Sequence, residues 1–231
     1  MTRQLPLALR LQHAPGLGDF IVGENRAVIE ALRRALDRDG ESVLYLFGPE
    51  GCGRSHLLLG QCAEAGRLGL QCAYLDLGDR TALAPEMLEG LEQLDLIAVD
   101  DIQLIAHDRD WEKALFGLFN RCRDQGTRLL FSADRGPAAL PLDLPDLRSR
   151  LTWGLTLALQ PLDDLGRQRL LQSLASRSAL NLPDEVARYL LERTSRHPDD
   201  LVTTVQRLDE ASLAEHRRLT IPFVRETLGL G

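Results

Sequence analysis

A glycine-rich turn constrains the fold of this chain more than any other feature: Gly48-Pro49-Glu50-Gly51-Cys52-Gly53-Arg54-Ser55. The apolar run 43–47 before it predicts a buried strand, and residues 56–63 after it predict a helix. Strand, glycine-rich turn and helix make a P-loop, in which backbone N–H groups at a helix N-terminus bind phosphate. The expected nucleotide-binding residues are Gly48, Gly51, Cys52, Gly53, Arg54, Ser55 and His56.

Arginine stands at position 54, where the P-loop pattern has lysine. Lysine is a compact point charge, whereas the arginine side chain is a wider, planar fork. Arginine can pair with phosphate, but it need not place charge where a γ-phosphoryl transition state develops it. The turn therefore predicts binding of ADP or ATP and does not predict fast hydrolysis. A glycine-rich turn without a ligand is the alternative, which the flanking strand and helix disfavour.

Two further apolar runs predict strands that end in acidic residues. They are 94–99, followed by Asp100 and Asp101, and 128–133, followed by Asp134. In parallel sheets ligands bind beyond the carboxyl ends of the strands. Ser55 and Asp100 are therefore candidate Mg²⁺ ligands, Asp101 is a candidate for orienting the attacking water, and Asp134 for sensing the γ-phosphate. The alternatives are a helix cap at Asp100 and Asp101 and an ordinary turn residue at Asp134.

Strands and helices alternate along the first two thirds of the chain. Strands are predicted at 43–47, 71–77, 94–99, 128–133 and 154–159, and helices at 24–37, 54–66, 85–92, 110–125 and 145–151. This order predicts an α/β fold with a parallel five-stranded sheet covered by helices on both faces. The segments 162–178, 183–195, 199–216 and 221–228 predict a small all-helical lid. The expected divisions are a tail, 1–16, a nucleotide-binding domain, 17–160, and the lid, 161–231.

Composition excludes several classes of protein. Hydrophobic residues make up 44% and charged residues 26%, which is ordinary for a soluble globular chain. No apolar run approaches the roughly 20 residues of a membrane span, and no signal-peptide layout is present, so we expect a cytoplasmic protein without membrane contact. The four cysteines have neither C-x-x-C nor zinc spacing. A net charge of −7 without any basic run disfavours direct DNA binding as the main activity.

Four motifs together are similar to a known family. They are 48–55, 97–103 (Ile-Ala-Val-Asp-Asp-Ile-Gln), 132–135 (Ser-Ala-Asp-Arg) and 149–156 (Ser-Arg-Leu-Thr-Trp-Gly-Leu-Thr). This set resembles the AAA+ module of the bacterial replication initiator DnaA, over about residues 15–215. A DnaA-like AAA+ module with arginine in its P-loop resembles, within that family, the Hda type of regulatory inactivator of DnaA.

The resemblance implies an arginine finger at Arg150, offered to the ATP site of a neighbouring DnaA subunit. Such a finger neutralises charge in the γ-phosphoryl transition state and raises the rate by about 10³–10⁵. Arg148 is the nearby competitor for this role, and the Ser-Arg-x-x-Trp-Gly spacing favours Arg150. The implied protein holds ADP and activates the ATPase of DnaA in trans, while its own ATPase activity is weak or absent.

The first residues extend the resemblance. Gln4, Leu5, Pro6, Leu7 and Leu9 resemble the short peptide by which this family docks on the DNA polymerase sliding clamp. An extended peptide with fixed side-chain spacing can fill a preformed groove at little ordering cost. The implied partners are DnaA and the clamp, with DNA contacted only indirectly through the clamp. Self-association into a homo-oligomer is left open.

One departure bears on the mechanism. The family carries a nucleotide-contacting arginine in the lid, and the matching position here is Asp199, with Arg196 and Arg207 as the nearby basic residues. The departure fits a protein that retains a diphosphate.

The functional alternative is a self-sufficient AAA+ ATPase such as a helicase loader, which turnover by the isolated chain would identify. A protein-binding platform with a dead nucleotide site is the third interpretation.

Overall fold

The computed structural model describes residues 16–37, 39–79 and 83–230. These residues form two compact units. The first comprises Asn25–Pro161 together with the described residues up to Phe20, and the second comprises Ile21–Glu24 together with the residues from Leu162 onward. The predicted clamp-binding residues Gln4, Leu5, Pro6, Leu7 and Leu9 lie outside the described part of the chain.

The first unit is built on a five-stranded sheet. Its strands are β1 (Val43–Phe47), β2 (Cys72–Asp76), β3 (Leu96–Asp100), β4 (Arg128–Ala133) and β5 (Leu155–Ala158). Their order across the sheet is β2-β3-β4-β1-β5, and every adjacent pair is parallel. All five predicted strands are present, with ends that differ by at most two residues. Because the strands are parallel, the turns after β1, β3 and β4 meet at one edge of the sheet.

Helices cover both faces of the sheet. They are α1 (Arg26–Ala35), α2 (Arg54–Arg67), α3 (Arg109–Gln125) and α4 (Pro145–Leu151). Alternate strand residues supply two separate apolar cores: Leu44 and Leu46 pack with α1 and α2, while Tyr45 packs with α3 and α4. The predicted α/β fold with helices on both faces is therefore confirmed.

One predicted helix is wrong. Residues 85–92 form two short 3₁₀ turns, Pro85–Leu88 and Leu91–Gln93. Gly90 separates them with a φ of 81°, a left-handed conformation that glycine adopts readily and that ends a right-handed helical turn. Leu88 and Leu91 are buried in the 3₁₀ turns, and their three-residue spacing would also fit one face of an α-helix, so the spacing does not distinguish the two conformations.

The second unit is all-helical, as the sequence predicted. It contains α5 (Asp164–Arg177), α6 (Asp184–Arg193), α7 (Pro198–Glu215) and α8 (Ile221–Leu228). Its own apolar core includes Leu171, Leu190, Leu208 and Phe223, all fully buried. Within the described residues, no helix has the length and apolar character needed to cross a membrane.

Candidate functional site

The turn after β1 is a tightly wound P-loop. At Gly48 an added Cβ atom would lie 2.6 Å from the carbonyl oxygen of Leu159, so any side chain would clash with backbone. Gly53 immediately precedes α2 with a φ of 96°, a conformation that L residues rarely adopt. The turn therefore leads directly into the N-terminus of α2, where unpaired backbone N–H groups favour an anion.

Arg54, the first residue of α2, points its guanidinium group into the turn. One terminal nitrogen donates to the carbonyl oxygen of Gly48, and the other donates to Oδ1 of Asp101 at 2.8 Å. The two side chains of this ion pair are only 11% and 24% exposed. Arg54 therefore links the P-loop to the end of β3, and its charge offsets that of Asp101.

Asp100, the last residue of β3, is almost completely buried. The hydroxyl of Tyr74 donates to its Oδ2 at 2.7 Å, and the hydroxyl of Ser132 donates to its Oδ1. Burial raises the pKa of this carboxyl above its ordinary value, and hydrogen bonds from Ser132, Ser55 and Tyr74 partly oppose the shift. The predicted pair Ser55 and Asp100 is thus brought together, with the carboxylate already surrounded by hydroxyl donors.

Asp101 and Asp134 are joined by a side chain that the sequence analysis did not select. Gln103 donates from Nε2 to Oδ1 of Asp101 at 2.8 Å and accepts at Oε1 from the backbone N–H of Asp134 at 3.2 Å. Asp101 has a left-handed φ of 57°, and its own N–H donates to the Ser132 hydroxyl at 3.0 Å. The strand ends after β3 and β4 are therefore fixed to each other by Gln103 and Ser132.

Asp134 has a cationic neighbour of its own. Both of its carboxylate oxygens accept hydrogen bonds from the Arg135 guanidinium, at 2.8 and 2.7 Å. This pairing holds the pKa of the Asp134 carboxyl below its ordinary value. Asp134 therefore remains charged at the same edge of the sheet as Asp101.

His56 follows Ser55 on α2 and faces an aromatic ring that the sequence analysis did not select. The ring centroids of His56 and Phe20 are 5.6 Å apart. Phe20 also limits the space at Gly53, where an added Cβ atom would lie 2.7 Å from its ring. No motif marks Phe20, since its position beside the P-loop depends on a tertiary contact.

Arg150 lies away from these residues. It is in the last turn of α4, directly before β5, and therefore at the amino end of the strands, whereas the P-loop is at the carboxyl end. Its guanidinium carbon is 3.9 Å from the centre of the Trp153 ring, and Trp153 is 58% exposed. Among the described residues, no acidic side chain forms an ion pair with Arg150. The predicted catalytic residues thus fall into two groups on opposite ends of the sheet.

The lid residues named in the sequence analysis lie in the second unit. Asp199 is in the first turn of α7 with its side chain 91% exposed. Arg196 pairs with Asp164 at 3.2 Å, and both side chains are more than half exposed. An exposed pair of this kind contributes little to stability.

Family models match most of the chain. Residues 11–158 match the model of the bacterial DnaA ATPase domain, and residues 164–228 match the model of the Hda lid domain. The chain belongs to the DnaA family of AAA+ proteins, and it is Hda-like. A DnaA-type ATPase domain followed by an Hda-type lid indicates a role in the regulation of replication initiation.

Solved structures of DnaA share the fold of this DnaA-family protein. Domain III of the Thermotoga maritima replication initiation protein DnaA is 22% identical over 99% of this chain and 98% of its own, with a TM-score of 0.78. AMPPCP-bound DnaA from Aquifex aeolicus is 26% identical over 89% of this chain and 68% of its own, with a TM-score of 0.73.

A third crystal structure, of a DNA replication initiation factor, is 25% identical over 86% of this chain, with a TM-score of 0.73. The match spans only 65% of the length of that factor. These likenesses support the predicted AAA+ architecture of the α/β unit.

Proposed function

We propose that this protein regulates replication initiation as an activator of DnaA-bound ATP hydrolysis. It holds ADP in its P-loop, docks on the sliding clamp through residues 4–9, and inserts Arg150 into the ATP site of DnaA. The observation that carries the proposal is the state of Arg150: it stacks on an exposed tryptophan at 3.9 Å and has no acidic partner among the described residues. Its N–H donors are therefore available to a phosphate on another molecule.

Binding of a nucleotide is supported by the P-loop and by a relative. The backbone of the turn curls at Gly48 and Gly53 in a way that only glycine allows, as a phosphate cradle requires. The similar DnaA from Aquifex aeolicus is described as bound to AMPPCP. The P-loop of this chain is accordingly proposed to hold an adenine nucleotide.

The side chains beside the P-loop could supply only part of the coordination of a Mg²⁺ ion. The Asp100 carboxylate already accepts hydrogen bonds from Tyr74, Ser132 and Ser55, so three of its roughly four acceptor positions are occupied. Ser55 offers a hydroxyl beside this carboxylate. These residues fit an ion held mainly by phosphate oxygens and water, which is the coordination that Mg²⁺ favours. A bound Mg²⁺ would offset negative charge on the phosphates.

Weak turnover at the protein's own site is supported by the pairing of Arg54 with Asp101. A carboxylate that orients an attacking water must accept a hydrogen bond from that water. Oδ1 of Asp101 already accepts from Arg54 and Gln103, at 2.8 Å each, so Oδ2 is the oxygen that is left to accept from a water. The arrangement favours retention of a bound diphosphate over repeated cycles of hydrolysis.

The proposal is tested by measuring hydrolysis of labelled ATP bound to purified DnaA, with this protein and with clamp loaded on DNA. We expect hydrolysis to require both additions. Replacing Gln4, Leu5 and Leu7 with alanine should abolish clamp binding and stimulation while leaving the thermal unfolding temperature unchanged, because chain termini contribute little to stability. Unchanged DnaA hydrolysis in the complete mixture would refute the proposal.

A second assay, in which DnaA is left out, tests the competing function. A self-sufficient ATPase would hydrolyse ATP without DnaA. Turnover on the order of 1 s⁻¹ by the isolated chain, within the ordinary range for enzymes, would favour that function.

A further inference from the structure

A buried glutamate, Glu112, ties two loops of the α/β unit together. It lies in the first turn of α3, and its side chain is completely buried. Its Oε1 accepts hydrogen bonds from the backbone N–H groups of His107 and Asp143, both at 3.0 Å. Its Oε2 accepts from the N–H of Leu144 at 2.6 Å. One carboxylate therefore satisfies three backbone donors, from the segment before α3 and from the segment before α4.

The surroundings of Glu112 favour a fixed position. A negative charge is stabilised near helix N-termini, and this carboxylate lies in the first turn of α3 and accepts from the residue that precedes α4. A second link between the same two segments joins His107 Nδ1 to Asp143 Oδ1 at 3.0 Å. Those side chains are 67% and 58% exposed, so solvent screens that link and Glu112 is the stronger anchor.

The helix that Glu112 anchors carries Arg150 at its other end. Leu144, the residue before α4, is six residues from Arg150, or roughly 9 Å along a helix axis. A tilt of about 10° at the start of α4 would therefore move Arg150 by roughly 1.5 Å. Displacement of a catalytic group by about 1 Å can lower a rate by roughly 10²-fold. The direction of a seven-residue helix thus matters for a group that must reach another molecule.

We propose that Glu112 is a positioning residue for Arg150. It fixes the N-terminus of α4 against α3 and so sets where the guanidinium group lies relative to the edge of the domain. This inference rests on the proposed function of Arg150 as a finger in trans. It assigns no contact with nucleotide to Glu112 itself, because the carboxylate is buried and occupied by backbone donors.

The substitution Glu112→Gln tests the inference with little change in shape. Glutamine keeps one acceptor oxygen but presents an NH₂ group to at least one of the three backbone donors, so the anchor is incomplete. We expect the rate of DnaA-bound ATP hydrolysis at saturating protein to fall at least tenfold. The concentration of protein that gives half-maximal rate should stay within twofold, and amide hydrogen exchange of residues 144–151 should become faster.

A matched control separates positioning from a general loss of stability. Gln61→Met removes a buried hydrogen bond of 2.8 Å from Gln61 Nε2 to the Leu32 carbonyl, on the opposite face of the sheet. This variant should unfold at a lower temperature with an unchanged stimulated rate. If Gln61→Met and Glu112→Gln lose stimulation in proportion to their loss of stability, the positioning role is refuted.

A second variant covers the case in which Glu112→Gln does not fold. Leu144→Pro removes one donor and leaves the glutamate intact; because it also removes a partly buried side chain that packs on the core, Leu144→Ala, which keeps the N–H donor, is its control. Leu144→Pro should reproduce the loss of rate.

Normal stimulation by a folded Glu112→Gln or Leu144→Pro, beside an inactive Arg150→Ala, overturns the inference and leaves the proposed function standing. If Arg150→Ala stimulates normally, the proposed function fails, and unchanged exchange of residues 144–151 would then refute the anchoring as well.

Discussion

Arg54 and Arg150 occupy opposite ends of the same sheet and opposite electrostatic settings. The Arg54 side chain is only 11% exposed, and its guanidinium donates to a carbonyl and a carboxylate of its own chain. The guanidinium of Arg150 lies against the face of an exposed ring, 3.9 Å from its centre. An aromatic face orients a guanidinium without using its N–H donors. The protein's own site therefore has its charges paired internally, whereas the finger candidate keeps its donors free for a partner.

The strongest test of this comparison is Arg150→Ala. We expect stimulation of DnaA-bound ATP hydrolysis to fall by about 10³-fold, the usual contribution of an arginine finger. Unfolding should change little, because an exposed cation–π contact contributes about 0.5–1 kcal/mol. The rate is measured in single-turnover hydrolysis and the stability by thermal unfolding.

Arg148→Ala is the matched control, since Arg148 lies in the same last turn of α4. Loss of stimulation in Arg148→Ala with normal stimulation by Arg150→Ala would transfer the role to Arg148.

Arg54→Ala tests the other half of the comparison. Without Arg54 the Gly48 carbonyl loses a donor and the charge of Asp101 is left unpaired beside the P-loop. A charge-assisted hydrogen bond contributes about 1.5–3 kcal/mol, so we expect ADP affinity to fall roughly tenfold to a hundredfold. Isothermal titration with ADP measures the effect. Arg135→Ala, a cation at the same edge that pairs with Asp134, should bind ADP within a factor of about 3 of wild type. Equal losses in both variants would mean that the positive charge of the region, rather than the pairing of Arg54 with Gly48 and Asp101, determines ADP affinity.

Ser132→Ala tests how much the hydrogen bonds around the nucleotide site contribute to stability. The hydroxyl donates to Asp100 and accepts from the N–H of Asp101, so its removal leaves the Asp101 N–H without a partner and takes one of three hydroxyl donors from the buried Asp100 carboxylate. We expect the free energy of unfolding to fall by about 1–3 kcal/mol. Urea denaturation measures this free energy. Thr152→Ala is the control, because it removes an exposed hydroxyl beside Arg150 and should change the free energy of unfolding by less than about 0.5 kcal/mol. Similar losses in the two variants would contradict the contrast between the two regions.

The smallest expected effect concerns pH. Burial raises the pKa of Asp100, so the folded protein holds this proton to higher pH than the unfolded chain, and stability is lost as pH rises through the folded-state pKa. The gain in unfolding free energy between pH 4 and pH 7 should therefore be larger in Asp100→Asn than in wild type. Urea denaturation at both pH values measures this difference.

Asp134 supplies the opposite control. The pKa of Asp134 is lowered by Arg135. Its contribution to the free energy of unfolding is therefore present above the unfolded-state pKa and is lost as pH falls through the folded-state pKa. The gain between pH 4 and pH 7 should be smaller in Asp134→Asn than in wild type. A change of the same sign in both variants would show that the two carboxyls are not in different environments.

The sequence by itself determined the α/β order, the five strands, the P-loop and the helical second unit. Each of these depends on local periodicity or on a turn that glycine alone permits. The acids at 100, 101 and 134 could be placed at one edge of the sheet, because parallel strands bring their carboxyl ends together. The helix predicted at 85–92 failed at Gly90, since the apolar spacing did not specify the left-handed residue that divides it.

Only the tertiary structure decided which side chains these groups contact. Nothing local in the sequence relates Gln103 to Asp134, Arg54 to Asp101, or Glu112 to Leu144, because each pair is brought together by the packing of separate elements. The sequence showed that residue 54 is arginine and residue 150 is arginine. Burial and the available partners then made one an internal ion pair and left the other on the face of Trp153, and neither property is encoded in the residue type.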